Sequence, residues 1–350
     1  MKVLNKVIGL LLCFVLFACQ KQYIYTSSQY HQYQPVTIVV GNDGLILKSV
    51  NDVSSWQEVK IEGYNQIHFN AIAKNNKTFS LAVVGTKGTI LFSDNVGATW
   101  QKIKTNYDDL TLTSVIAYQN SFIAAGYDSA GNSLLLTFNK NGIITDKTIT
   151  STTKDINKVD VAFNLELEQL ILVNSNGTDS SVYISNDGEN WTPIKTSSVN
   201  FLTVAVWGGK YFMGGLNNTL VKIIDKPTTI SFNTKQLVTT KFDNSFNSIS
   251  CSNRYKDTSC LAAGSASTIA QGDINSDNWT AKIIPTIVDS DFKKVSYYSL
   301  EKSYLLLTNS TKVGGDNKIL ITKNGEDFIV LYSSNSEVYN DIITFDLPGY

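Results

Sequence analysis

VVGTKGTILFSDNVGATW, Val83 to Trp100, and its earlier counterpart VVGNDGLILKSVNDVSSW, Val39 to Trp56, decide the fold of this chain. Each reads as an apolar strand ending in glycine, a tight turn, a second strand, and a Ser–x–Asn turn closed by tryptophan. The two copies start 44 residues apart. A period of that size marks a repeat architecture, in which one supersecondary unit is stacked many times.

Outward from these copies, each unit resolves into strands A to D. Strand A takes forms such as HFNAIAK (His68 to Lys74), LTSVIAY (Leu112 to Tyr118), FLTVAVW (Phe201 to Trp207) and FNSISCS (Phe246 to Ser252). Strand B ends near Gly41, Gly85, Gly126, Asn174, Gly214, Gly264 and Thr308, landmarks 40 to 50 residues apart. Strand C reads TILFS or SVYIS, and strand D begins at the tryptophan, as in WQKIK and WTPIK. The first unit starts with strand B at Val36 and lacks a strand A. The chain finishes on VYNDIITF (Val338 to Phe345), a strand A without its B. These two ends complete one another and close a ring, which removes the exposed edges of an open antiparallel array. The expected fold is all-β: a seven-bladed β-propeller of four-stranded antiparallel blades over residues 35–350, closed by the C-terminal strand joining the N-terminal blade.

The turn before strand D carries Ser93, Asn95, Gly97 and Trp100 in its clearest form, and Ser49 and Trp56 in a looser one. Ser185, Asp187, Gly188 and Trp191 repeat it, as do Thr322, Asn324, Gly325 and Phe328. Four of the five tryptophans, Trp279 included, hold this one position. The hydroxyl and carboxyl or amide oxygens suit backbone N–H groups of the turn, glycine supplies positive φ, and the aromatic side chain is expected to bury its area against the next blade. The role expected for all of these residues is structural.

This turn resembles the Asp-box, or BNR repeat. VVGTKGTILFSDNVGATWQKI is similar in style to the repeat of the photosystem II stability/assembly factor family, whose members are seven-bladed, and some of which carry lipoprotein signals. The resemblance implies a non-enzymatic assembly factor. Members occur in non-photosynthetic bacteria, so no photosystem is implied. The family's arginine-rich patch has no counterpart, because Arg254 is the only arginine. The same count excludes sialidase chemistry, which resembles a clamp of three arginines with a tyrosine nucleophile, since lysine does not reproduce the planar bidentate fork.

The first residues belong to export rather than to the fold. Lys2 and Lys6 precede the apolar run Val7 to Phe17, which is shorter than the roughly 20 residues a spanning helix needs. Leu16-Phe17-Ala18-Cys19 resembles a bacterial lipobox, implying a signal peptide over 1–18 and diacylglycerol and a further acyl chain such as palmitate on Cys19. Residues 19–34 read as a polar, Tyr-rich tether, able to reach about 20 Å as a flexible coil. The expected address is the cell envelope. Gln20 follows the cysteine in place of an aspartate, which favours the outer over the inner membrane. Export also makes a disulfide between Cys251 and Cys260 the expected state, against two free half-buried thiols.

Net charge is −1, so no global field draws nucleic acid. His31 and His68 are the only histidines; no catalytic triad or metal site is expected, and no cofactor is implied. The remaining signal lies where the repeat lengthens. The B–C turns of blade 3 (Tyr127 to Ser133), blade 4 (Ser175 to Ser181) and blade 7 (Asn309 to Asn317) exceed the tight Thr86-Lys87-Gly88. Tyr127, Asp128, Asn132, Asn176 and Asp179 are the candidate binding residues, on neighbouring blades, against the alternative of solvated loop variation. The function expected is a lipid-anchored scaffold for unknown envelope proteins. The alternative is a glycan-binding or glycoside-hydrolysing surface lipoprotein, for which 30 Asp and Glu leave chemistry available.

Overall fold

The chain folds into seven four-stranded antiparallel sheets. Six use consecutive strands. The seventh has the order Tyr339–Leu347, Gln34–Gly41, Ile46–Val50, Gln57–Glu58, so the last strand becomes the inner strand of the first blade. The structure is a computed structural model and describes residues 34–149, 153, 155–194, 200–228, 232–238, 244–252, 258–299 and 301–347. The propeller is the unit Pro35–Asp346. A second unit, Met1–Gln34 with Leu347–Tyr350, has only Gln34 and Leu347 among the described residues. The signal, Cys19, residues 20–33 of the tether and Arg254 lie outside them, and Gln34, expected to end the tether, opens the first strand. No described helix is long and apolar enough to cross a membrane.

Each sheet is sandwiched between two others, which explains the continuous apolar B strands. Ser80–Gly85 and Gln169–Ser175 are buried along their whole length, whereas the outer strands Gln57–Glu58 and Thr234–Gln236 are exposed throughout. The apolar clusters accordingly lie between blades. One joins Val84, Phe92 and Leu110 to Phe122 and Phe138 of blades 2 and 3, and another joins Phe212 and Leu220 to Trp279 and Ile249 of blades 5 and 6. Burying each such side chain contributes roughly 1.5–3 kcal/mol.

The turns before strand D share one geometry. Ser93 Oγ accepts from Gly97 N at 2.9 Å, Ser185 Oγ from Gly188 N at 2.9 Å, and Thr322 Oγ1 from Gly325 N at 2.9 Å. The next oxygen takes two more groups of the turn: Asp187 Oδ1 accepts Glu189 N and Asn190 N, and Asn324 Oδ1 accepts Glu326 N and Asp327 N. The three glycines have φ between 67° and 80°. In blade 1 the acceptor is Asp52, which takes Ser54 N and Ser55 N, rather than Asn51, which adopts φ 75°.

Three expectations are corrected. The aromatic residue packs on the preceding blade, not the next: Trp279 lies 5.7 Å from Phe212 of blade 5, Trp56 6.5 Å from Tyr332 of blade 7, and Trp191 against the cluster built on Ile123 and Leu135 of blade 3. The blade's C–D turn swings beneath its predecessor and carries the ring there. Strand D starts one residue after the aromatic, at Gln101, Thr192 and Thr280. In blade 5 the landmark glycine is Gly215, because Phe201 pairs with it before a bulge, as Phe69 pairs with Gly85 and Phe246 with Gly264. A Cβ there would meet the Asn200 carbonyl oxygen at 2.0 Å, and at Gly264 the Ser245 oxygen at 1.6 Å. The glycines end strand B because the chain entering strand A crosses directly over them.

Cys251 and Cys260 face each other across the A–B hairpin of blade 6 and form a disulfide, with Cα atoms 4.0 Å apart.

Candidate functional site

The bulge that opens strand A fixes the inside of the ring. In five blades one residue is extruded between an aromatic or leucine and the next paired position: Asn70, Thr113, Leu202, Asn247 and Lys293. Several of these reach the following blade. Asn70 Nδ2 donates to Leu112 O at 2.8 Å, Thr113 Oγ1 to Val159 O at 2.6 Å, and Asn247 Nδ2 to Phe292 O at 3.0 Å. Asn340 Nδ2 does the same across the closure, to Phe69 O at 2.9 Å.

The residue after the bulge, and its counterpart in the other two blades, occupies the same level around the ring. Around the ring these are Asp341, Ala71, Ser114, Asp160, Thr203, Ser248 and Lys294. Polar members hold a backbone N–H of the next strand: Asp341 Oδ2 accepts Ile72 N at 3.0 Å, Asp160 Oδ2 accepts Val204 N at 3.0 Å, and Ser248 Oγ accepts Val295 N at 3.2 Å. Asp160 also accepts from Ser114 Oγ and Thr203 Oγ1, so one carboxylate ties blades 3, 4 and 5. Asp341 ties blades 7, 1 and 2, because it pairs with Lys294 Nζ at 3.2 Å as well. The carboxylates of the channel are therefore committed to holding strands.

The lysines are less completely matched. Lys158 opens the inner strand of blade 4, and Lys293 and Lys294 lie on that of blade 7, across the ring. Burial, the largest influence, pushes Lys158 below the ordinary lysine range. Asp160 opposes that shift, while Lys294 and Lys293 add to it. Burial also pushes Lys294 down, but Asp341 and Asp160 more than offset it, and its net shift is upward. Lys293 lies 4.0 Å from Asp291. Among the described residues Lys158 has no hydrogen-bond or ion-pair partner. Repeat-based reading missed these residues. Their signal was a charge inside an otherwise apolar or small inner strand, as in KVDVAFN, SDFKKVSYY and YNDIITF.

The loop residues expected to bind lie on the face where strand A begins, with the lysine mouth. Asp128 closes its own turn, accepting Ala130 N at 3.0 Å and Asn132 N at 2.8 Å, with Asn132 Nδ2 at 3.0 Å from Oδ2; burial, the largest single influence, weakens its acidity, but these hydrogen bonds together outweigh it and leave the net shift downward. Asn176 Oδ1 likewise accepts Thr178 N and Asp179 N. Tyr127 ends its strand and packs against the cluster between blades 3 and 4. The two loops are brought together by the segment between them: a Cβ at Gly131 would meet Asp155 Cα at 2.9 Å, and Asn157 Nδ2 donates to Asn176 O at 3.1 Å.

The opposite face holds a cleft of about 600 Å³ between the A–B hairpins of blades 2, 3 and 4. Tyr118 and Phe163 meet edge to face there at 5.1 Å, beside Asn76, Asn120 and Asn186. Lys74 sits at its rim, 4.5 Å from the Phe345 ring. Among the described residues no group of three or more His, Cys, Asp or Glu is placed to hold a metal.

No family model matches the chain, and no curated protein matches its sequence. Solved structures do match in fold. YCF48 from Cyanidioschyzon merolae is 15% identical over 81% of this chain and 90% of its own, with a TM-score of 0.59. A structure of YCF48 bound to D1 peptide is 14% identical over 81% and 94%, with a TM-score of 0.57. The periplasmic gluconolactonase PpgL of Pseudomonas aeruginosa is 9% identical over 89% and 99%, with a TM-score of 0.63. At these identities the likeness is one of fold, and it spans a binding protein and an enzyme.

Proposed function

We propose that this protein is a non-enzymatic binding propeller of the bacterial cell envelope, anchored by lipid on Cys19, that holds a segment of another protein on its long-loop face as an assembly or scaffolding factor. The observation that carries this reading is the division of labour in the channel. Asp160 and Asp341 are bound into the wall by backbone and side-chain donors, which leaves lysine head groups, suited to recognition, at the mouth. The Asp-box resemblance of the turns and the YCF48–peptide complex, a similar propeller with a peptide bound, support the same reading.

The test is capture from detergent-solubilised envelope with full-length protein, beside a glycan array. A partner protein retained by the wild type and lost from Asn132→Ala/Asn176→Ala supports the proposal; glycan hits with no specific protein partner sink it. For the anchor, Cys19→Ser should abolish palmitate labelling, and normal labelling of that variant would refute lipidation. Glycan binding is the second reading. It is favoured by the Tyr118–Phe163 cleft with its neighbouring amides, a lining that suits sugar rings. Loss of an array signal on Phe163→Ala would support it.

A further inference from the structure

We infer that the cleft between the A–B hairpins of blades 2, 3 and 4 binds an uncharged sugar chain. This rests on the glycan reading of the cleft, and adds the charge class of the ligand and the amides that hold it.

The side-chain amides of this region divide into spent and unspent. Asn75 and Asn164 belong to the inner strands of blades 2 and 4, and each is used at both ends. Asn75 Nδ2 donates to Ser121 O at 2.9 Å, and its Oδ1 accepts Lys77 N at 2.9 Å. Asn164 Nδ2 donates to Gly209 O at 2.8 Å, and its Oδ1 accepts Glu166 N at 3.1 Å. Asn76, Asn120 and Asn186 differ. They come from three blades, line the one cleft, and make no side-chain hydrogen bond among the described residues. Asn186 arrives there because its C–D turn swings beneath blade 3. Each amide offers two N–H donors and a carbonyl acceptor. That set complements hydroxyl groups, which both give and take hydrogen bonds.

The floor between the amides is apolar. Tyr118 and Phe163 are half-buried there, with ring centroids 5.1 Å apart. The Asp-box turn of blade 4 backs the first ring, since a Cβ on Gly188 would stand 3.7 Å from Tyr118 Cε1. Leu165, 72% exposed, forms part of the rim. A sugar ring has C–H faces and hydroxyl edges, so aromatic floor and amide walls match it on both counts. The volume of about 600 Å³ falls within the roughly 300–1,000 Å³ of small-ligand sites.

The charges decide the ligand's class. Lys74 and Lys77 stand on the blade 2 wall, and Glu168 on the blade 4 wall. Burial pushes Lys74 down while Asp346 opposes the shift, and the ammonium lies 4.5 Å from the Phe345 ring. Lys74 is therefore answered within the protein, and Lys77 is balanced by Glu168. On the blade 4 side burial, then Asp187, Glu168 and Glu189, push the Tyr118 hydroxyl up. Asp187 and Glu189 lie outside the lining, and Asp187 is closed into its own turn by Glu189 N and Asn190 N. The lining thus has no net charge with which to select an ion. An anionic chain laid across it would meet the carboxylates of blade 4, and a cationic one the lysines of blade 2. An uncharged chain meets neither penalty.

The experiment is calorimetric titration of the full-length protein, solubilised in a detergent without a sugar head group. The probes are maltotetraose and N-acetylchitotetraose, which are uncharged, the de-N-acetylated cationic tetramer, anionic tetragalacturonate, and an uncharged tetrapeptide amide. One-to-one binding of an uncharged tetrasaccharide is expected, with both charged ones weaker by about tenfold or more. Phe163→Ala should weaken binding about tenfold. Asn76→Ala and Asn186→Ala should each weaken it by about threefold to tenfold. These two amides hold nothing in the fold, so unchanged thermal midpoints of the Asn variants separate a lost contact from lost structure. Wild-type affinity in the double Asn76→Ala/Asn186→Ala variant, or tighter binding of the peptide than of either uncharged sugar, would overturn the inference. Tighter, Phe163-dependent binding of a charged tetrasaccharide would overturn the charge class and leave the glycan reading standing. Binding of no tetrasaccharide would remove both.

Discussion

Asp341→Ala should loosen the ring where its two ends meet. The Asp341 side chain is 6% exposed and makes three contacts: Ile72 N at 3.0 Å, Ile342 N at 2.8 Å and Lys294 Nζ at 3.2 Å. Truncation leaves the buried Ile72 amide without its acceptor, which costs about 1–3 kcal/mol. It also strands Lys294, but that side chain is 41% exposed, so water recovers much of the loss and only about 1 kcal/mol is added. The expected destabilisation is about 2–4 kcal/mol. Asp341→Asn, which keeps an acceptor for Ile72 but no charge, should cost about half as much. Urea unfolding measures the size, and hydrogen exchange measures the place. Amides of Tyr339–Asp346 and of the facing strand Phe69–Asn75 should lose protection first, before those of blades 4 and 5. A loss below about 0.5 kcal/mol, or exchange that rises uniformly around the ring, would refute the argument that this carboxylate locks the closing strand.

Other variants test other parts of the fold. Asp187 is held well below the ordinary aspartate value of 3.8, first by the Asn190 amide and side chain. A depressed folded value means stability present above 3.8 and lost as pH falls through the folded value, so wild type should exceed Asp187→Asn in stability at neutral pH and converge with it in acid; parallel curves down to pH 2 would contradict this. Replacing Cys251 and Cys260 together by serine should lower stability by about 2.7 kcal/mol for a loop of this size, read as a shift in the urea midpoint matched by reducing agent on the wild type alone. Trp279 is 5% exposed, packs on Phe212 and donates to Asp273 O at 3.2 Å, so Trp279→Ala should cost about 3–5 kcal/mol, and a loss under 1 kcal/mol would mean the neighbouring blade closes the gap. Lys158→Met should stabilise by on the order of 1 kcal/mol near neutrality. Because the folded state holds Lys158 below 10.5, the wild type recovers that deficit only as pH rises toward 10.5, and a gap that widens with pH would reverse the reasoning.

The residues that build each turn lie within a few positions of one another, so their chemistry was legible from the chain. Ser93, Asn95 and Gly97 bond within the same loop, and any copy with that spacing makes the same loop wherever it stands. The half-blades at the two ends specified closure for the same kind of reason, since an unpaired strand B and an unpaired strand A each lack a neighbour that only the other can supply. Less was legible where a position acts through another blade. The bulge shifted the apparent landmark in blade 5, and the direction in which Trp279 leans depends on how one sheet twists over the last.

Sequence alone therefore determined the all-β class, the seven units and the strand that joins the ends, because those follow from local spacing and from the need to pair every edge. The tertiary structure alone decided what stands inside the ring. Asp341, Asp160 and Lys294 sit in separate repeats and share no motif, and only the common level of the inner strands brings their charges within reach of one another. Coulomb interactions act through space and depend on that distance, whereas the periodic pattern records only which face of a strand is buried.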